Sequence, residues 1–219
     1  MKKAIIFDFD NTIVSSIKYW KRVIDKETAK KYKVKVDPSF VVIRHGYSNI
    51  DTAKLFLDMH KGLSTNYKEI VDFWYDYMED KYASKVNFVL GAYQFLQTLK
   101  QKGYKLILAT ATGKILLDKA LKVFNLQNIF DLVITEAEVG KSKKEPDIFY
   151  KIMDEFNLKA SDCLYFEDSL IAITTAKKLG IDCVAMVNNL NKNNLSKFNK
   201  LCVKVAKRYS NKLIKELNL

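Results

Sequence analysis

The 219-residue chain predicts an α/β fold, a doubly wound parallel sheet interrupted once by a helical insertion. Five short apolar runs punctuate the sequence: Ala4 to Phe7, Leu106 to Ala109, Leu132 to Ile134, Leu164 to Phe166 and Val184 to Val187. Their hydrophobicity is continuous rather than alternating, as a strand covered on both faces requires. Helical patterns alternate with these runs from residue 91 onward, and the long stretch before it shows helical patterns but no convincing strand.

The elements follow in order. Ala4 to Phe7 reads as the first strand. Residues 15–88 then break the alternation. Ser48 with Asp51, and Asn66 with Glu69, resemble helix starts, the second leading into Ile70, Phe73, Trp74 and Tyr77. The simplest organisation is a core made of residues 1–14 and 89–219 with a helical unit, 15–88, inserted after the first strand. Lys85 to Leu90 returns the chain to the sheet. Beyond it, Leu117, Leu121 and Phe124 recur at helical spacing, as do Ile148, Ile152 and Phe156 behind Pro146. Ser169 to Leu179 is helical and stops at Gly180. The tail from Asn188 is rich in Asn and Lys; Leu201 to Ala206 reads as an edge strand before a final amphipathic helix.

Composition narrows the function. A hydrophobic fraction of 48% with 12% aromatic residues suits a packed interior and argues against disorder. No apolar stretch approaches the roughly 18 residues of a membrane span. The opening MKKAIIFDFD begins like a signal peptide, but Asp8 interrupts it almost at once, so a cytoplasmic protein is expected. Cys163, Cys183 and Cys202 are far apart and lack zinc-ligand spacing; Cys163 and Cys183 read as buried reduced thiols. The net charge of +12 invites thoughts of nucleic acid. However, the arginines are only Arg22, Arg44 and Arg208, and the lysines are spread over the whole length. Neither bidentate base contacts nor an interleaved stacking surface is suggested. A lysine-rich surface can still steer small anionic substrates inward.

The chemistry gathers where ligands bind in such sheets, outside the carboxyl ends of the strands. The first strand ends in Asp8-Phe9-Asp10-Asn11-Thr12, the second in Thr110-Ala111-Thr112, and the fourth in Glu167-Asp168-Ser169; Lys143 follows the third. Carboxylates from different strands around one crevice repel unless a cation or proton compensates them. Hard oxygen ligands with positions left open favour Mg²⁺. Taken singly, Asp10, Asp168 and Ser169 are also acceptable helix caps, and Lys143 also fits a solvated basic loop.

Together these segments resemble the haloacid dehalogenase superfamily. Asp8-Phe9-Asp10-Asn11-Thr12-Ile13 is similar to its first motif and Thr110, closing a strand, to its second. Lys143 ahead of Pro146-Asp147-Ile148-Phe149 is similar to the third, and Glu167-Asp168-Ser169 to the fourth. The resemblance implies an aspartyl phosphate on Asp8 and an acid/base role for Asp10. It implies phosphoryl contacts from Thr110, Ala111, Thr112 and Lys143, and Mg²⁺ held by Asp8, Asp10, Asp168 and Glu167. For Glu167 it leaves direct, water-mediated or purely orienting roles open. The usual Lys-Pro pair is here Lys143-Lys144, so Lys141 or Lys144 are alternatives to Lys143.

Within that family Asp10 argues for phosphorus chemistry, since dehalogenases acting on carbon dispense with it. The insertion resembles the small helical cap of phosphatases and phosphomutases, with Val42 to Ser48 as its specificity loop and Arg44 and His45 as candidate substrate contacts. Where hexose-phosphate mutases carry a linker histidine and a second phosphate-holding arginine, Trp20 and Asn49 stand here. The expectation is therefore a Mg²⁺-dependent phosphatase of a small phosphorylated metabolite. A sugar phosphomutase and a non-enzymatic, lysine-rich binding protein are the alternatives.

Overall fold

The computed structural model describes residues 2–44 and 47–219; the expected substrate contact His45 and the adjoining Gly46 lie outside them. All five apolar runs form strands, β1 (Ala4–Phe7), β2 (Lys105–Thr110), β3 (Leu132–Thr135), β4 (Cys163–Glu167) and β5 (Asp182–Met186), joined by β6 (Lys204–Ala206). Every neighbouring pair is parallel, in the order β3-β2-β1-β4-β5-β6. β1 is thus central, and the winding direction reverses beside it, which is where an open α/β sheet makes its ligand crevice.

Between β1 and β2 the chain forms α1 (Ile17–Arg22), a π-helical turn (Val23–Glu27), α2 (Thr28–Tyr32), α3 (Pro38–Ile43), α4 (Asn49–Met59), α5 (Tyr67–Ser84) and α6 (Ala92–Gln101). Ser48 and Asn66 do cap α4 and α5, accepting from Asp51 N and from Lys68 N and Glu69 N. Val42 and Ile43, expected in a loop, close α3 instead. The remaining helices are α7 (Lys114–Val123), α8 (Glu136–Val139), α9 (Asp147–Glu155), α10 (Leu170–Lys178), α11 (Leu195–Leu201) and α12 (Asn211–Glu216). No helix among the described residues is long and apolar enough to cross a membrane.

The strands are covered on both sides, as continuous apolar runs require. Ile5, Phe7, Leu106, Leu108, Leu164 and Phe166 pack with α6, α7 and α12, in a core that continues into the insertion through Trp20, Phe56 and Trp74. Ile6, Ile107, Ala109, Tyr165 and Cys183 face the opposite way, against α9, α10 and Phe198 of α11. One expectation is corrected here: Leu201 ends α11, and the edge strand starts only at Lys204. The Phe198–Leu201 spacing turns both residues onto the sheet face, and that burial outweighs the strand propensity of the following Val203 and Val205. The cysteines are unpaired. Burial pushes the Cys163 and Cys202 thiols up to about 11, and Cys183 further.

The insertion leaves and rejoins the core at adjacent points. Ser15 N donates to Asn87 O at 2.8 Å and Val89 N to Ile13 O at 2.8 Å, so both crossings lie side by side. Just beyond, Gly91 has φ +80° and abuts the carbonyl of Tyr209, whose ring packs on Phe95 at 4.8 Å and Phe166 at 5.7 Å. A Cβ there would be strained and would collide with backbone. Gly91→Ala is expected to cost about 3 kcal/mol of stability, read as a lowered melting temperature; an unchanged melt would contradict this packing.

Candidate active site

β1 aims Asp8 into the crevice beside the switch point, and Asp8 N extends the ladder by donating to Phe166 O at 3.0 Å. Asp8 is buried, as are Thr110, Lys143 and Glu167. Lys143 comes from the segment after β3. A Thr135–Glu138 capping box starts α8, Gly140 ends it in the left-handed region, and Glu136 Oε1 accepts from Lys143 N at 2.8 Å. This turn sends the lysine back under the sheet ends. Its Nζ donates to Asp8 Oδ1 at 2.6 Å, Glu167 Oε2 at 2.8 Å and Ala109 O at 3.3 Å. All three ammonium donors are used. Neither alternative lysine does this: Lys144 Nζ lies 3.9 Å over the Tyr47 ring, and Lys141 lines a separate cleft with Ser48 and Tyr75.

Glu167 is the most heavily engaged carboxylate. Oε2 also accepts from the Tyr165 hydroxyl, and Oε1 accepts from Asp168 N and Ser169 N, both at 2.9 Å. Those two bonds hold the turn that leads into α10, whose N-cap position is Ser169 rather than Asp168. Asp168 Oδ2 instead accepts from Asn188 Nδ2 at 3.2 Å, and Asn191 Nδ2 holds the Asp168 carbonyl at 2.9 Å. One oxygen each from Asp8, Glu167 and Asp168 lies within 4.8 Å of the others.

The electrostatics are unbalanced. Three carboxylates face one ammonium, leaving two negative charges when all are ionised. Burial, followed by repulsion from Glu167, pushes the Asp8 and Asp168 carboxyls well above the usual carboxylate range. Burial acts on Glu167 too, but the adjacent Lys143 ammonium, with hydrogen bonds from Lys143, Tyr165 and Ser169 N, holds Glu167 below its ordinary value. Burial alone would lower Lys143; Asp8 and Glu167 outweigh it and raise it well above the ordinary lysine range. A divalent cation would supply the missing charge, and clustered carboxylate oxygens are the ligands Mg²⁺ prefers. The residues present fit that ion.

Asp10 is not a helix cap either. Its Oδ2 accepts from Thr112 Oγ1 at 2.6 Å. Its Oδ1 accepts from Tyr82 Oη at 2.6 Å, Trp20 Nε1 at 3.1 Å and the Ser16 hydroxyl. Burial and the Asp10 charge push the Tyr82 phenol well above its ordinary value, so it remains a donor. Asp10 lines two adjoining cavities. One, of ≈ 210 Å³, is walled by Asp8, Thr110, Ala111, Lys143, Glu167 and Asp168. The other, of ≈ 420 Å³, opens beneath the insertion between Trp20, Ile24, Arg44, Tyr47, Asn49 and Thr112.

The sequence model of the haloacid dehalogenase-like hydrolases matches residues 5–186. The chain belongs to that family. Pyrophosphatase PpaX of Bacillus mycoides (strain KBAB4) is 22% identical to this hydrolase over 189 residues, 84% of this chain and 82% of its own. Protein SUPPRESSOR OF QUENCHING 1 of Arabidopsis thaliana, a chloroplast protein, is 25% identical over 192 residues; the match spans 85% of this chain but 18% of that much longer one. CbbY from Rhodobacter sphaeroides, crystallised in complex with phosphate, superposes on the hydrolase with a TM-score of 0.84 at 19% identity, covering 100% of both chains. That likeness speaks for the shared fold.

Of the residues expected in the site, Asp8, Asp10, Thr110, Ala111, Lys143, Glu167 and Asp168 border one cavity. Thr112 and Arg44 border the larger one. Thr112 spends its hydroxyl on Asp10, and Arg44 is paired with Asp25 at 2.8 Å. Tyr82, Tyr165, Asn188 and Asn191 escaped sequence reasoning. Only Tyr165 carried a usable signal, a polar aromatic two residues before Glu167 on the same strand face.

Proposed function

We propose that this hydrolase is a Mg²⁺-dependent phosphatase that cleaves a small phosphomonoester through an aspartyl phosphate on Asp8. The observation that carries the reading is Asp8 and Lys143 buried together in a cavity whose wall, Asp10, also borders a larger space for a leaving group. Residues 1–14 and 89–219 form the catalytic core and 15–88 the cap; the paired crossings at Ile13–Val89 and Ser15–Asn87 support that division.

In the first step an Asp8 carboxylate oxygen attacks phosphorus, the ester P–O bond breaks, and Asp10 gives its proton to the departing oxygen. In the second, Asp10 takes a proton from water, the water oxygen attacks phosphorus, and the bond to Asp8 breaks, restoring the carboxylate. The Thr110 hydroxyl and Ala111 amide donate to phosphoryl oxygens, and Lys143 offsets their charge. Asp8, Asp168 and the Asp10 carbonyl would hold Mg²⁺, with Glu167 fixing Lys143 and the start of α10. When bound, Mg²⁺ supplies positive charge that relieves repulsion between the carboxylates and an incoming phosphate.

Trp20 and Asn49 at the mutase-specific places, and an Arg44 already neutralised by Asp25, favour hydrolysis over transfer to a second phosphate site. The intact catalytic set favours an enzyme over a binding protein.

The test is phosphate release from a panel of sugar phosphates, phosphoglycolate and nucleotides with Mg²⁺ or EDTA. Release is expected only with Mg²⁺, and Asp168→Asn should raise the Mg²⁺ concentration required by about tenfold or more. Activity indifferent to EDTA, or isomerised sugar phosphate with little free phosphate, would overturn the reading.

A further inference from the structure

We infer that Tyr82 is a positioning residue that aligns Asp10 for proton transfer and makes this alignment depend on the seating of the helical insertion; the inference rests on the phosphatase reading above. Tyr82 lies near the end of α5, 72 residues from Asp10 in sequence, with its hydroxyl 2.6 Å from Asp10 Oδ1. Its side chain is 2% exposed. The ring packs on Phe9 at 5.8 Å and Phe124 at 6.3 Å, which fixes where the hydroxyl points. Trp20 Nε1 reaches both members of the pair, 3.1 Å from Asp10 Oδ1 and 3.2 Å from Tyr82 Oη.

A carboxylate oxygen has about two good acceptor directions. Oδ1 takes donors from Tyr82, Trp20 and Ser16, so it is saturated. Oδ2 takes Thr112 alone, which leaves one direction open. The arrangement therefore assigns the transferable proton to Oδ2 and gives Oδ1 the task of holding the group still. All three Oδ1 donors belong to the segment between the two crossings, whereas Thr112 belongs to the core. Displacing the insertion would release the side of Asp10 that sets its orientation, and proton transfer falls steeply when a group is misplaced by about 1 Å.

Tyr82→Phe keeps the ring and removes only the hydroxyl. The readout is kcat/KM, which reports events up to phosphoenzyme formation, for two esters of opposite demand. p-Nitrophenyl phosphate expels a stable phenolate and needs no proton; an alkyl ester turned over by the wild type, such as glycerol 3-phosphate, does. Loss for the alkyl ester is expected to be on the order of tenfold or more, a fraction of a full acid's contribution, with less than about threefold for p-nitrophenyl phosphate. Equal loss for both esters would mean a structural role, and no loss for either would mean none; each overturns the inference. Where Tyr82→Phe does not fold, judged by circular dichroism and melting, Trp20→Phe removes the other linked donor and carries the same comparison. A wild type that releases phosphate from no ester at all overturns the phosphatase reading and this inference together, whereas an active wild type with undiscriminating variants overturns this one alone.

Discussion

Asp8→Asn is expected to lower phosphate release on the order of 10⁴-fold or more for every ester, with the fold intact. The amide is nearly isosteric with the carboxylate and can still accept from Lys143 through its oxygen, so the cavity keeps its shape. What it lacks is a nucleophilic oxygen anion at the end of β1, and neither Glu167 nor Asp10 is placed to replace it. Glu167 has both oxygens occupied by four donors, and Asp10 is turned toward Tyr82, Trp20 and Thr112. Stability should move the other way. The Asp8 carboxyl is raised by burial and then by Glu167, so its contribution to stability is fully present below the unfolded-state pKa and lost as pH rises through the raised one. In EDTA at neutral pH the wild type carries that cost and the amide does not. Melting curves in EDTA should therefore show Asp8→Asn at least as stable as wild type, and added Mg²⁺ should stabilise the wild type more. A variant that keeps its turnover would place the nucleophile elsewhere.

Lys143→Ala should be the most damaging single change to stability. Lys143 is 7% exposed and bonds both Asp8 and Glu167, so truncation leaves buried carboxylates facing each other without their cation. Removing one partner of a buried ionic cluster typically costs about 3–5 kcal/mol, which for a chain of this size lowers the melting temperature by roughly 10 °C. Turnover should fall by on the order of 10²–10³-fold with the loss of charge at the phosphoryl group. Mg²⁺ should restore part of the stability, because it also neutralises Asp8, but little of the rate. Lys143→Arg is not expected to rescue: three acceptors at the carboxyl ends of three neighbouring strands converge on a compact ammonium, and a planar guanidinium does not fit that enclosure. Equal melting temperatures for wild type and Lys143→Ala in EDTA would refute the cluster's role.

Sequence legibility followed the range of the interaction that decided each feature. The strands could be read because a run buried on both faces must be apolar throughout, and β1 matches its run from Ala4 to Phe7 residue for residue. Leu201 to Ala206 suits a strand locally, whereas the helical packing of Phe198 and Leu201 on the sheet is tertiary and leaves only Lys204–Ala206 as the edge strand. In α5, the helical spacing of Ile70, Phe73, Trp74 and Tyr77 includes two residues of the buried face, Ile70 and Trp74, and that face continues through Met78 and Tyr82. Nothing local distinguishes a tyrosine that fills space from one that also donates to a carboxylate 72 positions away.

The order of motifs along the chain, each following an apolar run, by itself determined the α/β class, the family and which strand ends bear the acidic and basic groups. These depend on period, residue type and spacing, all of which are one-dimensional. Only the tertiary structure decided that Lys143, rather than Lys141 or Lys144, reaches Asp8, that Glu167 spends its oxygens on neighbours, and that Asp10 is gripped from the insertion. Each depends on where a charged or hydrogen-bonding atom lands within a few ångströms once distant segments pack, a distance that no spacing along the chain encodes.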